Sequence, residues 1–273
     1  MTRVVGTQMY PWTQYRQREG RSLNDTLAEA FDQAREAGLT AWEHTASKAE
    51  DIAPFKQLAD QHGLAMPSVY TGSELHETKD VDAELDRLEA LAKACVDADI
   101  KLLVTNPNPI SWAGQENKSD AQLRTQARAL AELVERCESH GATLAYHVHS
   151  PEFRAGAREF HHMMLAVPEM KLCLDTHWLF QGCEYSNVAL MDLMRRYADR
   201  TVSLHLRQSQ NHVWVQTMTE GDLDYAPVFK QLSELNFEGP IFLELALDEA
   251  TDVTLDVVEA HRISARWVHE QFA

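Results

Sequence analysis

Four short apolar runs in the second half of the chain each end on a side chain able to bind a metal ion: Leu144-Ala145-Tyr146-His147, Leu172-Cys173-Leu174-Asp175, Val202-Ser203-Leu204-His205 and Ile241-Phe242-Leu243-Glu244. A single Asp or Glu at the end of a strand is ordinarily a helix cap, and a single His an ordinary polar residue. Nothing in folding requires acid and imidazole groups to end four successive runs, so together they point to one shared site. Two imidazoles and two carboxylates suit one divalent ion such as Mn²⁺, Co²⁺, Fe²⁺, Mg²⁺ or Zn²⁺.

The elements that carry these residues must bring them together. The gaps between the four are 28, 30 and 39 residues, close to one strand plus one helix plus loops in a (β/α)8 barrel of roughly 250 residues. The strands of such a barrel are parallel, so their C-terminal ends open onto one face and one residue per βα unit can converge there. Strands are predicted over 4–9, 41–44, 64–69, 100–105, 142–147, 171–175, 202–205 and 240–244. Amphipathic helices are predicted over 23–37, 85–97, 120–140 and 254–272, the first capped by Ser22 or Asn24 and stopped by Gly38. Gly63, Gly141 and Gly239 precede strands as terminators or turns. The fold class is therefore α/β, a (β/α)8 TIM barrel forming a single domain over 1–273, with no linker or low-complexity tract to divide it.

Composition narrows the partners. With 25 basic against 42 acidic residues the net charge is −17, which opposes a nucleic-acid partner. Arg16, Arg18 and Arg21 are the only compact basic group; they are placed in the loop after the first strand, where an anionic substrate group could meet them. No apolar stretch is long enough to span a bilayer and no signal segment opens the chain, so no membrane partner and a cytoplasmic location are expected. Cys95, Cys137, Cys173 and Cys183 lack CxxC pairing and read as reduced thiols. A homo-oligomer is left open.

The stretches Tyr146-His147-Val148-His149-Ser150-Pro151-Glu152-Phe153, Leu174-Asp175-Thr176-His177-Trp178, His205-Leu206-Arg207-Gln208 and Phe242-Leu243-Glu244, with the opening Gly6-Thr7-Gln8-Met9-Tyr10-Pro11-Trp12, resemble the xylose isomerase-like superfamily of sugar isomerases and epimerases. The resemblance implies a single-metal site with His147, Asp175, His205 and Glu244 as ligands. Many epimerases of that superfamily have Glu where this chain has His147 and use two ligand carboxylates as an acid/base pair; here Glu244 alone keeps that role. The tyrosine-histidine-x-histidine form is familiar among inosose dehydratase-like members. The implied activity is a metal-dependent isomerase or epimerase of a small sugar or keto-sugar, acting through a metal-bound enediolate. A metal-dependent dehydratase or lyase on a keto-cyclitol or 3-keto-sugar is the alternative, and a non-catalytic carbohydrate-binding barrel the third reading.

Such chemistry needs a second proton-transfer group to select the product. Glu152 ranks first, before His149 and His177. Arg207 can fork onto a carboxylate or a pair of hydroxyls. Trp12, Tyr10, Trp112 and Trp178 can stack on a sugar ring, and Glu43, Asn106 and His177 are further substrate contacts. Gln208-Ser209-Gln210-Asn211 contains no glycine cradle for phosphate, so an unphosphorylated carbohydrate or cyclitol is preferred.

Overall fold

Parallel strands cannot be joined by tight turns, so each apolar run must be followed by a crossover, and the helical segments supply it. The computed structural model describes residues 3–77, 79–112 and 114–272; positions 1, 2, 78, 113 and 273 of the predicted span lie outside the described residues. The chain runs β1 (Val5–Gln8), α1 (Met9–Arg18), α2 (Leu27–Glu36), β2 (Ala41–Thr45), α3 (Ile52–Gln61), β3 (Ser68–Ser73), α4 (Val81–Asp97) and β4 (Leu102–Pro107). It continues through α5 (Asp120–His140), β5 (Thr143–His147), α6 (Arg154–Ala166), β6 (Lys171–Asp175), α7 (Thr176–Gly182), α8 (Asn187–Tyr197) and β7 (Thr201–Leu206). A hairpin of β8 (Ser209–Gln210) and β9 (Val213–Trp214) precedes α9 (Tyr225–Glu234), β10 (Ile241–Leu243) and α10 (Val257–Gln271). Strands β1 to β7 and β10 close into a parallel barrel in the order β1-β10-β7-β6-β5-β4-β3-β2, as predicted, and β8 pairs with β9 alone.

The two-residue period of a strand divides each barrel strand between two cores. On β5, Leu144 and Tyr146 pack outward into the large cluster shared with the helices, whereas Ala145 joins Val104 and Cys173 in a small inner cluster against Tyr70 and Val202. His147 and Asp175 follow Ala145 and Cys173 by two residues, and so stand one layer above that inner core at the strands' C-terminal ends.

Several boundaries differ from the sequence expectation for identifiable reasons. Pro67 has no N–H to give a ladder, so β3 begins after it, at Ser68, and only Ala65 of the preceding run bridges to Ala41. The first strand stops at Gln8, whose side chain caps α1; the expected loop is a helix, and Arg16 on it is buried. Arg16 meets Glu19 at 3.2 Å and Glu29 at 3.3 Å, so it is spent in the protein and not presented to a ligand. The prediction for α5 holds end to end, because Ser119 and Gln122 form a capping box and Gly141 stops the helix at φ +84°. Gly239 serves differently: a Cβ there would lie 2.0 Å from the Val202 carbonyl oxygen, so glycine is needed for β10 to enter beside β7.

Candidate metal centre

Strands β5, β6, β7 and β10 are neighbours in the closed barrel, so His147, Asp175, His205 and Glu244 arrive from one side of it. Asp175 sits in register with His205, and His205 with Phe242, the residue two before Glu244. One donor atom from each of the four lies within 4.8 Å of the others. His147, Cys173 and His205 meet the same limit, but Cys173 lies in the layer below and burial pushes its thiol up, away from the thiolate that binds metals.

The donor set fits a divalent ion. Both ring nitrogens of His147 are buried without a hydrogen-bond partner among the described residues, and buried polar atoms are rarely left so. His147 Nε2 lies 3.7 Å from Asp175 Oδ2, and His205 Nδ1 lies 3.1 Å from Glu244 Oε2. Burial pushes the Glu244 carboxyl up, but the Arg207 charge and the His205 hydrogen bond outweigh it and hold the group well below the usual carboxylate range. Burial disfavours a charged His205; Cys173, Glu43 and Glu244 around it reverse the balance and raise it. The first shift keeps a negative charge at the cluster, whereas the second means that a cation must displace a proton from His205 to bind it.

Asp175 divides its carboxylate between two tasks. Oδ1 accepts a 2.7 Å hydrogen bond from the Trp178 N–H and caps α7, while Oδ2 faces His147 and, at 3.5 Å, Arg207. Arg207 is buried, with Nη2 also 3.6 Å from Glu244 Oε2 and with its guanidinium between two indoles, 4.7 Å from the Trp178 ring and 4.2 Å from the Trp214 ring. Its Nε has no hydrogen-bond partner among the described residues.

The remaining predicted residues divide clearly. His149 packs between Trp112 at 4.9 Å and Trp178 at 5.2 Å, beside His147 at 4.8 Å. Burial, then the neighbouring His147, lowers its pKa far below the ordinary value, so the ring is neutral. His177 is buried with both nitrogens unpartnered, and burial lowers it to about 3. Asn106 Oδ1 accepts from the Tyr70 hydroxyl, leaving Nδ2 without a partner. Trp12 is fully buried, donates to Thr7 at 3.0 Å and packs on Trp42 and His261, which makes it part of the core and not a substrate contact. Glu43 is also fully buried, beneath His205 and against Ser68, and so is not open to a substrate. Tyr10 and Trp112 are exposed.

Two neighbours of the site were not anticipated. Tyr70 sets its ring edge on His147 at 5.4 Å, but Pro67 disguises the register of its strand. Trp214 stands on the hairpin after β7, whose turn residues Asn211 and His212 both have positive φ. That is the type I′ geometry, and asparagine between two short β-prone pairs is its faint signal.

Glu152 is buried, accepts from the His149 N–H at 3.0 Å with Oε2, and leaves Oε1 unpartnered. Burial, reinforced by the nearby Glu159 carboxylate, raises its pKa to about 8. An unfolded Glu sheds its proton near pH 4.5, so between there and about pH 8 the folded chain holds the extra proton. Stability should therefore fall as pH rises through that window and level off above it, a contribution of the order of a few kcal/mol. Glu152→Gln should remove this slope. Urea unfolding of both proteins from pH 4 to 9 in chelator checks it, and parallel curves would show that Glu152 does not hold the proton.

A family model described as xylose isomerase-like TIM barrel matches residues 31–270. An inosose dehydratase from Geobacillus kaustophilus is 23% identical, with 82% of each chain covered. Among solved structures, D-allulose 3-epimerase from Methylomonas sp. superposes with a TM-score of 0.77 at 16% identity, covering 99% of each chain. A xylose isomerase-like TIM barrel protein from Mycobacterium smegmatis, in complex with magnesium, gives 0.74 at 13% identity, covering 99% of this chain and 96% of that one.

Proposed function

Because the chain belongs to the xylose isomerase-like TIM-barrel family, we propose that it is a divalent-metal-dependent isomerase or epimerase of a small unphosphorylated sugar or keto-sugar. The observation that carries this reading is the four-donor cluster within 4.8 Å, placed at the C-terminal face of the barrel. A bound divalent ion, with manganese favoured, would draw electron density from a substrate carbonyl and its neighbouring hydroxyl.

The side chains supply the rest. Glu244 is the one member of the set with solvent access, 12% against 1% for His147, Asp175 and His205, so its carboxylate can reach a substrate C–H and take the proton beside the carbonyl. Arg207, fixed between Trp178 and Trp214, holds its charge 3.6 Å from Glu244 and opposes the negative charge that develops on the substrate oxygens. The neutral His149 and His177 can donate a hydrogen bond to a hydroxyl without adding charge. Glu152, protonated to about pH 8 behind His149, is assigned the second proton transfer. Dehydration of a keto-cyclitol or 3-keto-sugar is the second reading. His147 at the position of a second carboxylate favours it, as does the likeness to an inosose dehydratase. The intact donor set speaks against a purely binding barrel. Four free thiols accord with a cytosolic setting.

The test is proton exchange in deuterium oxide with a panel of unphosphorylated ketoses and keto-inositols. The accepted substrate should exchange the C–H beside its carbonyl, because proton abstraction precedes isomerisation and elimination alike. A new isomer without a chromophore then marks isomerisation, and enone absorbance marks loss of water. Glu152→Gln should keep exchange while suppressing product. No exchange with any member by the metal-loaded protein would overturn the enolising reading.

A further inference from the structure

We propose that Glu43 is a positioning residue for the metal centre, holding the His205 ring from the side away from the donor cluster so that Nδ1 faces the ion. The inference rests on the metal reading above. His205 is grasped from two directions: Nδ1 lies 3.1 Å from Glu244 Oε2, and Nε2 lies 2.8 Å from Glu43 Oε1. Glu244 belongs to the cluster of mutually close donors and Glu43 does not, so the two carboxylates mark opposite sides of the ring. Nδ1 is the nitrogen turned toward the cluster, and Nε2 is left to carry the proton.

Glu43 is itself immobilised. It is fully buried on β2, across the barrel from β7, and its Oε2 accepts a 2.5 Å hydrogen bond from Ser68 Oγ on β3. The Glu43–His205 contact is short but lies off the N–H axis, and both atoms count as unpartnered. A carboxylate behind a ligating imidazole fixes its tautomer and makes the other nitrogen a better donor, and its removal characteristically costs 10–100-fold in metal affinity.

The test is direct titration of the chelator-stripped protein with Mn²⁺ and Co²⁺, compared across wild type, Glu43→Ala, Glu43→Gln and Ser68→Ala. Glu43→Ala should weaken binding by about 10–100-fold. Glu43→Gln, whose carbonyl can still accept from Nε2–H, should recover much of that loss, and Ser68→Ala should show a smaller one. A merely structural role would lower thermal stability without moving the dissociation constant in this order. If wild type binds no metal, the metal reading itself fails. If wild type binds and Glu43→Gln and any folded Glu43→Ala bind within twofold of it, Glu43 does not position the ligand; should Glu43→Ala not fold, the Gln and Ser68 variants decide.

Discussion

His147→Ala should empty the metal site and lower turnover by about 10³-fold or more, while breaking no hydrogen bond of the metal-free protein. The expected size follows from the several kcal/mol of charge stabilisation a divalent ion supplies to such chemistry, since about 4 kcal/mol corresponds to about 10³ in rate. The expected selectivity follows from the structure: both His147 ring nitrogens lack a partner, so truncation deletes a donor without breaking a hydrogen bond of the fold. Wild type should purify with about one divalent ion per chain. Asp175→Ala should also lose the ion, but it removes the α7 cap and should cost roughly 1 kcal/mol even in chelator. Elemental analysis with thermal unfolding in chelator separates the two variants. Full occupancy in His147→Ala would remove that residue from the ligand set.

Glu244→Gln should reduce turnover by about 10² or more at full metal occupancy, because the amide keeps the volume and an oxygen donor but cannot take a proton. Exchange of substrate deuterium should fall in parallel with turnover. The Arg207 and His205 contacts that hold Glu244 low make it a dependable anion and a modest base, so its contribution depends on closeness to the C–H. Assays are read only alongside measured metal content. A variant that is fully loaded and turns over normally would exclude Glu244 as the base and move attention to His149 and His177.

The ring of strands was legible because buried parallel strands announce themselves as apolar runs, and because each of the four runs ends on a ligand type. What escaped was local. Pro67 shifted β3 along the chain and hid Tyr70, and Gln8 turned the expected loop after β1 into α1, burying Arg16. Trp12 and Glu43 were expected at strand ends, but Trp12 falls on α1 and Glu43 in the middle of β2. Trp12 folds back onto Thr7, and Glu43 lies beneath His205 instead of opening upward. Strand periodicity says which face a residue shares, and not what already occupies the space above it. Trp214 sits on a two-strand hairpin too short for any periodicity to register.

Asp175 bears on how such chains can diverge. With one oxygen capping α7 and the other turned to the centre, the position is under two independent constraints. A barrel that abandoned metal chemistry would still gain from an acid or amide here, because the helix still begins at this point. Among the described residues the His147 ring has no hydrogen bond that would give it a second tie of this kind. A descendant losing the ion should therefore shed that histidine early and keep the aspartate as a remnant. In chains of this kind, retention of the imidazole is the more telling sign of an active centre.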